Sequence, residues 1–91
     1  MHRLINLPGV AGGCIERVQF FHSVTEAMQL LRTERACTGS GDNGATTVWR
    51  GDEGEWHCAF HRRLIELDHT IVKHKKDVRE WLKKWFPEVV L

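Results

Sequence analysis

Five side chains between residues 57 and 74 are of the types that bind metals or move protons: His57, Cys58, His61, His69 and His74. A zinc site needs about four such ligands converging at roughly 2.0–2.3 Å, generally from knuckle or helix spacings. The local pattern here works against it. Side chains alternate across a strand, so Cys58 turns away from His57 and His61, and those two histidines stand about 13 Å apart along it. Only a helical segment would bring His57 and His61 together as an i, i+4 pair. The pattern implies dispersed histidines and one core cysteine, with no metal and no cofactor.

Acid–base chemistry is the next candidate. If Arg62-Arg63 forms a tight turn, His57 and Asp68 become cross-strand neighbours, close to Arg50 and Glu66. A carboxylate beside an imidazole can orient it and favour its charged form, as general acid–base catalysis requires. A nucleophile is missing: Cys58 faces inward, and Thr46 and Thr70 have no activating base in view. Were the chain an enzyme, His57 and Asp68 would be its pair; the sequence favours a protein that is not one. Phosphate loops fail on spacing. Gly9–Gly13 lacks the lysine of a P-loop and the GxGxxG pattern, and residues 38–44, TGSGDNG, lead into a strand instead of a helix.

The elements that must hold these residues centre on Ala45 to Phe60, two alternating runs around Gly51-Asp52-Glu53-Gly54. Closing the hairpin on Arg50 and Glu55 sets Trp49 opposite Trp56, Thr47 opposite Cys58 and Ala45 opposite Phe60, all on a core face. The outer face then carries Arg50, Glu55, Val48, His57, Thr46 and Ala59. Upstream, residues 1–14 read as a flexible arm with a short strand at Leu4–Leu7, and Ile15–Phe21 as a strand. Ser23 to Glu26 is a capping box that opens a helix to about Arg35, with Val24, Ala27, Met28, Leu30 and Leu31 on its apolar side. Residues 38–44 read as a flexible connector.

Downstream, residues 62–72 fit two patterns. A third strand would turn Ile65, Leu67 and Ile71 inward and Glu66, Asp68 and Thr70 outward. A helix would align Phe60, Leu64, Leu67 and Ile71. The β-branched run Thr70-Ile71-Val72 favours the strand, although an Arg62-Arg63 turn lacks the glycine, asparagine or aspartate that such turns prefer. A last helix from Lys75 to Phe86 aligns Val78, Trp81, Leu82 and Trp85 and stops at Pro87. The expectation is an α+β fold: a small two-layer sandwich in β-α-β-β-β-α order, its antiparallel sheet covered on one face by two helices.

At 91 residues the chain is one domain, placed at residues 15–91. No apolar run approaches the roughly 20 residues that span a bilayer. Three cysteines at unrelated spacings fit a reducing, cytoplasmic setting. Formal net charge is +1. Basic residues gather late: from Arg62 to Lys84 eight Lys and Arg face four Asp and Glu, against five and seven before them.

Lys75, Arg79 and Lys83 recur at i, i+4 and i+8, a basic stripe along the last helix. With the α-β-β-β-α order after Phe21 and KKDVREWL opening the final helix, the last two-thirds of the chain resembles the double-stranded-RNA-binding domain. That resemblance implies that Lys75 and Lys76 grip phosphates. The chain departs from it in its acidic hairpin loop, GDEG, and in having no glycine-containing approach to the last helix.

The reading taken from the residues themselves is a non-enzymatic, protein-binding regulator, inhibitor or accessory factor of the small, mobile-element style. Arg50, His57, His61 and Arg63 form its contact patch, with a second copy of the chain among the candidate partners and no membrane association. Nucleic-acid binding through Lys75, Lys76, Arg79 and Lys83 is the alternative.

Overall fold

Local signals account for both helices. In the computed structural model, which describes residues 5–6, 14–15, 18–41, 44–63 and 65–86, Ser23 caps helix α1 (Val24–Leu30), its hydroxyl accepting from the Glu26 amide at 3.0 Å. The helix ends several residues short of Arg35, because the chain turns at residues 31–33 and re-enters the sheet at Ala36. Helix α2 (Lys75–Trp85) buries Val78, Trp81 and Leu82 and carries Lys83 and Lys84 in its last turn, where cations complement the helix dipole.

The strands are β1 (Ile5–Asn6), β2 (Cys14–Ile15), β3 (Gln19–Phe20), β4 (Ala36–Gly41), β5 (Gly44–Arg50), β6 (Trp56–Arg62) and β7 (Ile65–Val72). β1 and β2 pair with each other alone; the rest form a five-stranded sheet in chain order. The sheet is mixed, since β3 runs parallel to β4 through the α1 crossover while β4 to β7 meander antiparallel. Both helices pack on one face over Phe21, Cys37, Val48, Trp56, Cys58 and Phe60. The fold is α+β. Of the arm expected over residues 1–14, the described part is strand β1 and the first residue of β2; the remainder lies outside the described residues.

Two expectations about order are corrected. The segment read as a connector supplies β4, which pairs with β5 from Ala36 opposite Trp49 to Gly41 opposite Gly44. Thr38 holds it there, donating to the Thr46 carbonyl at 2.9 Å and meeting the Thr47 hydroxyl at 3.0 Å. Gly39 is required for closeness: a Cβ at that position would lie 2.6–2.8 Å from the rings of Phe21 and Phe86. Four strands therefore separate the helices instead of three, and the strand order behind the RNA-binding-domain resemblance is not met.

The hairpin register also differs by one residue. Gly51 donates to the Glu55 carbonyl and Gly54 to the Gly51 carbonyl, with Gly54 at φ +85. This is a three-residue loop, Asp52-Glu53-Gly54, built as a turn followed by a left-handed glycine, which the hairpin adopts in place of a four-residue turn. Arg50 consequently pairs with Trp56, Trp49 with His57 and Val48 with Cys58. Trp49 and Trp56 part company: Trp56 enters the helix-covered core, and Trp49 packs on the opposite face with Ala36, Ala59 and Val18.

Candidate functional site

The face without helices carries the chemistry, arranged differently from the sequence expectation. Alternation along β6 sends His57, Ala59 and His61 to this face, while Arg50, Val48, Thr46 and Cys58 go to the helix side. Arg50 lies over the Trp56 ring, 5.3 Å from its centroid. The expected patch of Arg50, His57, His61 and Arg63 is thus divided: Arg50 belongs to the other layer, and His57 is buried at 3% exposure. His61 is half-buried, and Arg63 stays exposed in the β6–β7 turn with φ 52.

The strand reading of residues 65–72 holds, with its faces exchanged. The strand closes on Arg62 opposite Ile65, so Asp68, Thr70 and Val72 line up with Phe60, Cys58 and Trp56 on the helix side. Ile65, Leu67 and Ile71, expected inside, are 62%, 52% and 59% exposed. The proposed His57–Asp68 pair is overturned by this register. Asp68 accepts from the Trp81 indole at 2.8 Å and from the Thr70 hydroxyl at 3.1 Å, through the sheet from His57.

A different partner set surrounds His57. Its Nε2 meets the Glu55 carboxylate at 3.1 Å and its Nδ1 meets His69 Nε2 at 3.0 Å. His69 Nδ1 reaches Glu66 at 2.9 Å, and Glu66 also lies 4.0 Å from His61 Nε2. Trp49, 2% exposed, stacks on the His57 ring with centroids 5.1 Å apart and planes 8° from parallel. An unbroken row of carboxylate, imidazole, imidazole and carboxylate thus crosses β6 and β7 beneath an indole.

A β-bulge builds this row. Phe60 pairs with Asp68 but His61 pairs with Glu66, leaving Leu67 as the extra residue. In regular pleating Glu66 and His69, three apart, would point to opposite faces; one inserted residue restores them to the same side. The sequence did single out His57, His61, His69 and Glu66, yet neither the bulge nor the odd hairpin loop announces itself in residue type.

The electrostatics follow the geometry. The hydrogen bond from His57 is the chief cause holding the Glu55 carboxyl below its usual 4.5. Burial pushes the Cys58 thiol up to about 12, with the Asp68 charge adding to it, and burial likewise lifts Cys37 to about 12, helped by Cys58. A protonated, enclosed thiol is no nucleophile. Among the described residues no three His, Cys, Asp or Glu side chains form a group able to hold a metal ion.

On the helix side, Lys75, Arg79 and Lys83 line a cleft of about 450 Å³ between α2 and α1, joined by Arg32 from the turn after α1, with Val24 and Met28 also lining it. Lys76 is exposed outside that lining, and Lys83 also pairs with Glu80 at 3.3 Å. No helix among the described residues is long and apolar enough to cross a membrane.

Comparison with protein-family models, with curated proteins and with solved structures finds no match.

Proposed function

We propose that this protein is a non-enzymatic binding module whose partner is another protein, taken up as an added strand along β7. One observation carries the reading. β7 is the eight-residue edge of the sheet, and Ile65, Leu67 and Ile71 stand exposed on it. Long edge strands with exposed aliphatic side chains are ready templates for pairing, and proteins that do not use them guard them with charged side chains, proline or β-bulges. β7 has no lysine or proline, and its exposed carboxylate, Glu66, and its bulge at Leu67 lie in its first half, leaving the regular ladder from Asp68 to Val72 with Ile71 exposed. Replacing Ile71 by lysine leaves the fold intact, because a surface change of this kind moves stability by about 0.5 kcal/mol at most. Capture from the protein's own source with wild-type and Ile71→Lys chains tests the proposal: partners lost in the variant support it, and equal retention by both refutes it. Light scattering at high concentration separates a second copy of the chain from other partners.

A second reading, binding to a nucleic-acid backbone, is favoured by the cleft, which is lined by four cationic side chains, three from α2 and Arg32 from the turn after α1. Neutralising four phosphates gives a log–log salt slope of about −3 to −4. Retention on duplex or single-stranded nucleic acid with that slope, abolished by charge reversal at Lys75, Arg79 and Lys83, supports it. No retention at low salt retires it.

A further inference from the structure

The cleft between α1 and α2 has two unlike walls. On α2, Lys75, Arg79 and Lys83 recur every four residues, about 6 Å apart along the axis and about 12 Å end to end. On the other side, Val24 and Met28 recur at the same step, and Arg32 continues their line from the turn after α1. Val24 is half-buried and Met28 nearly closed over, so this wall is aliphatic up to its cationic end. None of the lining residues is acidic. Among the described residues Lys83 pairs with the exposed Glu80 alone, and Arg32, Lys75 and Arg79 have no ion pair.

The stripe does not serve the fold that carries it. Like charges at i, i+4 repel, and Lys75 opens α2 at the end where the helix dipole disfavours a cation. We propose that the cleft binds an acidic amphipathic helix of a partner protein. Carboxylates at i, i+4 and i+8 of such a helix repeat every 6 Å or so, roughly the step of the stripe, and a partner lying along α2 meets all three cations in register. An aliphatic ridge beside those carboxylates meets Val24 and Met28, as in other helices laid into grooves. A single phosphate needs donors converging on one point, and cations spread over about 12 Å do not converge. A nucleic-acid backbone, the second reading above, is charged along its whole length and leaves the aliphatic wall unmatched. The lining also has no aromatic ring on which a base could stack.

This surface does not rest on β7. It is a second protein-binding surface, on the helix layer and carried by different elements. An exposed ion pair supplies up to about fivefold in affinity, and a buried methyl group about fourfold. Binding is therefore expected to be weak, salt-sensitive and dependent on both walls together.

The test uses the full chain and a defined probe, a fluorescein-labelled alanine-based helical peptide with glutamates at i, i+4 and i+8 and leucines on the adjoining ridge. A control peptide of the same composition carries its leucines on the opposite face. Fluorescence anisotropy at low salt should find the patterned peptide bound about tenfold more tightly than the control. Arg79→Ala should weaken it by up to about fivefold. Arg79→Glu should abolish binding, and a peptide whose central glutamate is replaced by lysine should restore it, which a merely structural role for Arg79 would not allow. Val24→Thr, a change of similar shape on a half-buried side chain, should weaken the peptide about threefold and leave a single-stranded oligonucleotide unaffected. Equal affinity for the two peptides, or no binding at about 1 mM peptide, overturns the proposal. So does an oligonucleotide that binds more tightly than the patterned peptide with Val24→Thr moving neither, which assigns the cleft to the phosphate backbone. Ile71→Lys should leave peptide binding unchanged, so a failed docking strand and a failed cleft are read separately.

Discussion

Asp68 joins the edge strand to the helix layer, and removing it should show how much that joint contributes. Its carboxylate accepts from Trp81 Nε1 at 2.8 Å and from the Thr70 hydroxyl at 3.1 Å. A hydrogen bond to a charged group contributes about 1.5–3 kcal/mol, and a buried donor left alone costs about 1–3 kcal/mol. The two bonds share one oxygen, and Asp68 itself is half-buried, so they do not add fully. Asp68→Ala should therefore destabilise by about 2–4 kcal/mol, against a total of roughly 5–14 kcal/mol for a chain of this size. Asp68→Asn keeps an acceptor without its charge and should cost about 1 kcal/mol. Urea unfolding followed by tryptophan fluorescence measures both; at about 1–1.5 kcal/mol per molar, the alanine midpoint should drop by roughly 1–4 M. A loss below about 0.5 kcal/mol for alanine, or equal losses for both variants, would refute the hydrogen-bond accounting. The same asparagine variant checks the face assignment. His57 ring resonances should stay in place in Asp68→Asn and move in Glu55→Gln.

Three further outcomes are expected. Gly39→Ala should cost about 1–3 kcal/mol by overpacking, because its methyl group meets the Phe21 and Phe86 rings at 2.6–2.8 Å, and Phe21→Leu in the same chain should recover part of it. Cys37 and Cys58, raised by burial to about 12, keep protons that unfolded thiols surrender near 8.5, so the stability they contribute is complete below that value and is lost as the pH climbs toward 12. In a Cys14→Ser chain, thiol labelling at pH 8 should track unfolding, and rapid labelling of the native protein would contradict the burial. Glu55, lowered chiefly by its bond from His57, contributes stability above pH 4.5 that is lost as acid protonates it; thermal melts of Glu55→Gln below that value should have a shallower acid limb than the wild type.

What the sequence made legible was whatever depends on local chemistry. Ser23 and Glu26 announce the start of α1, and the spacing of Val78, Trp81 and Leu82 announces the buried side of α2. Thr70-Ile71-Val72 correctly marked a strand. β4 was hidden because Thr38-Gly39-Ser40-Gly41 has the composition of a linker, while the reason for Gly39 lies in two aromatic rings contributed by distant residues. The site was half legible for a related reason. His57, His61, His69 and Glu66 were visible as residue types, but which of them meet depends on whether an odd or even number of residues separates them across a turn or bulge. Composition carries no record of that.

The three-residue loop at Asp52-Glu53-Gly54 therefore behaves as a parity setting for the molecule. A slip of one residue between β5 and β6 would exchange the faces of one strand relative to the other. Trp49 would be driven toward the helices, and the indole would be taken off His57. A slip of two residues would leave each side chain on its present face and alter only the pairing. The bulge at Leu67 applies a second inversion farther along, and it affects only the stretch between it and the β6–β7 turn. A residue added to the loop itself is absorbed by a change of turn type, because the buried side chains of β5 and β6 hold the register from both sides.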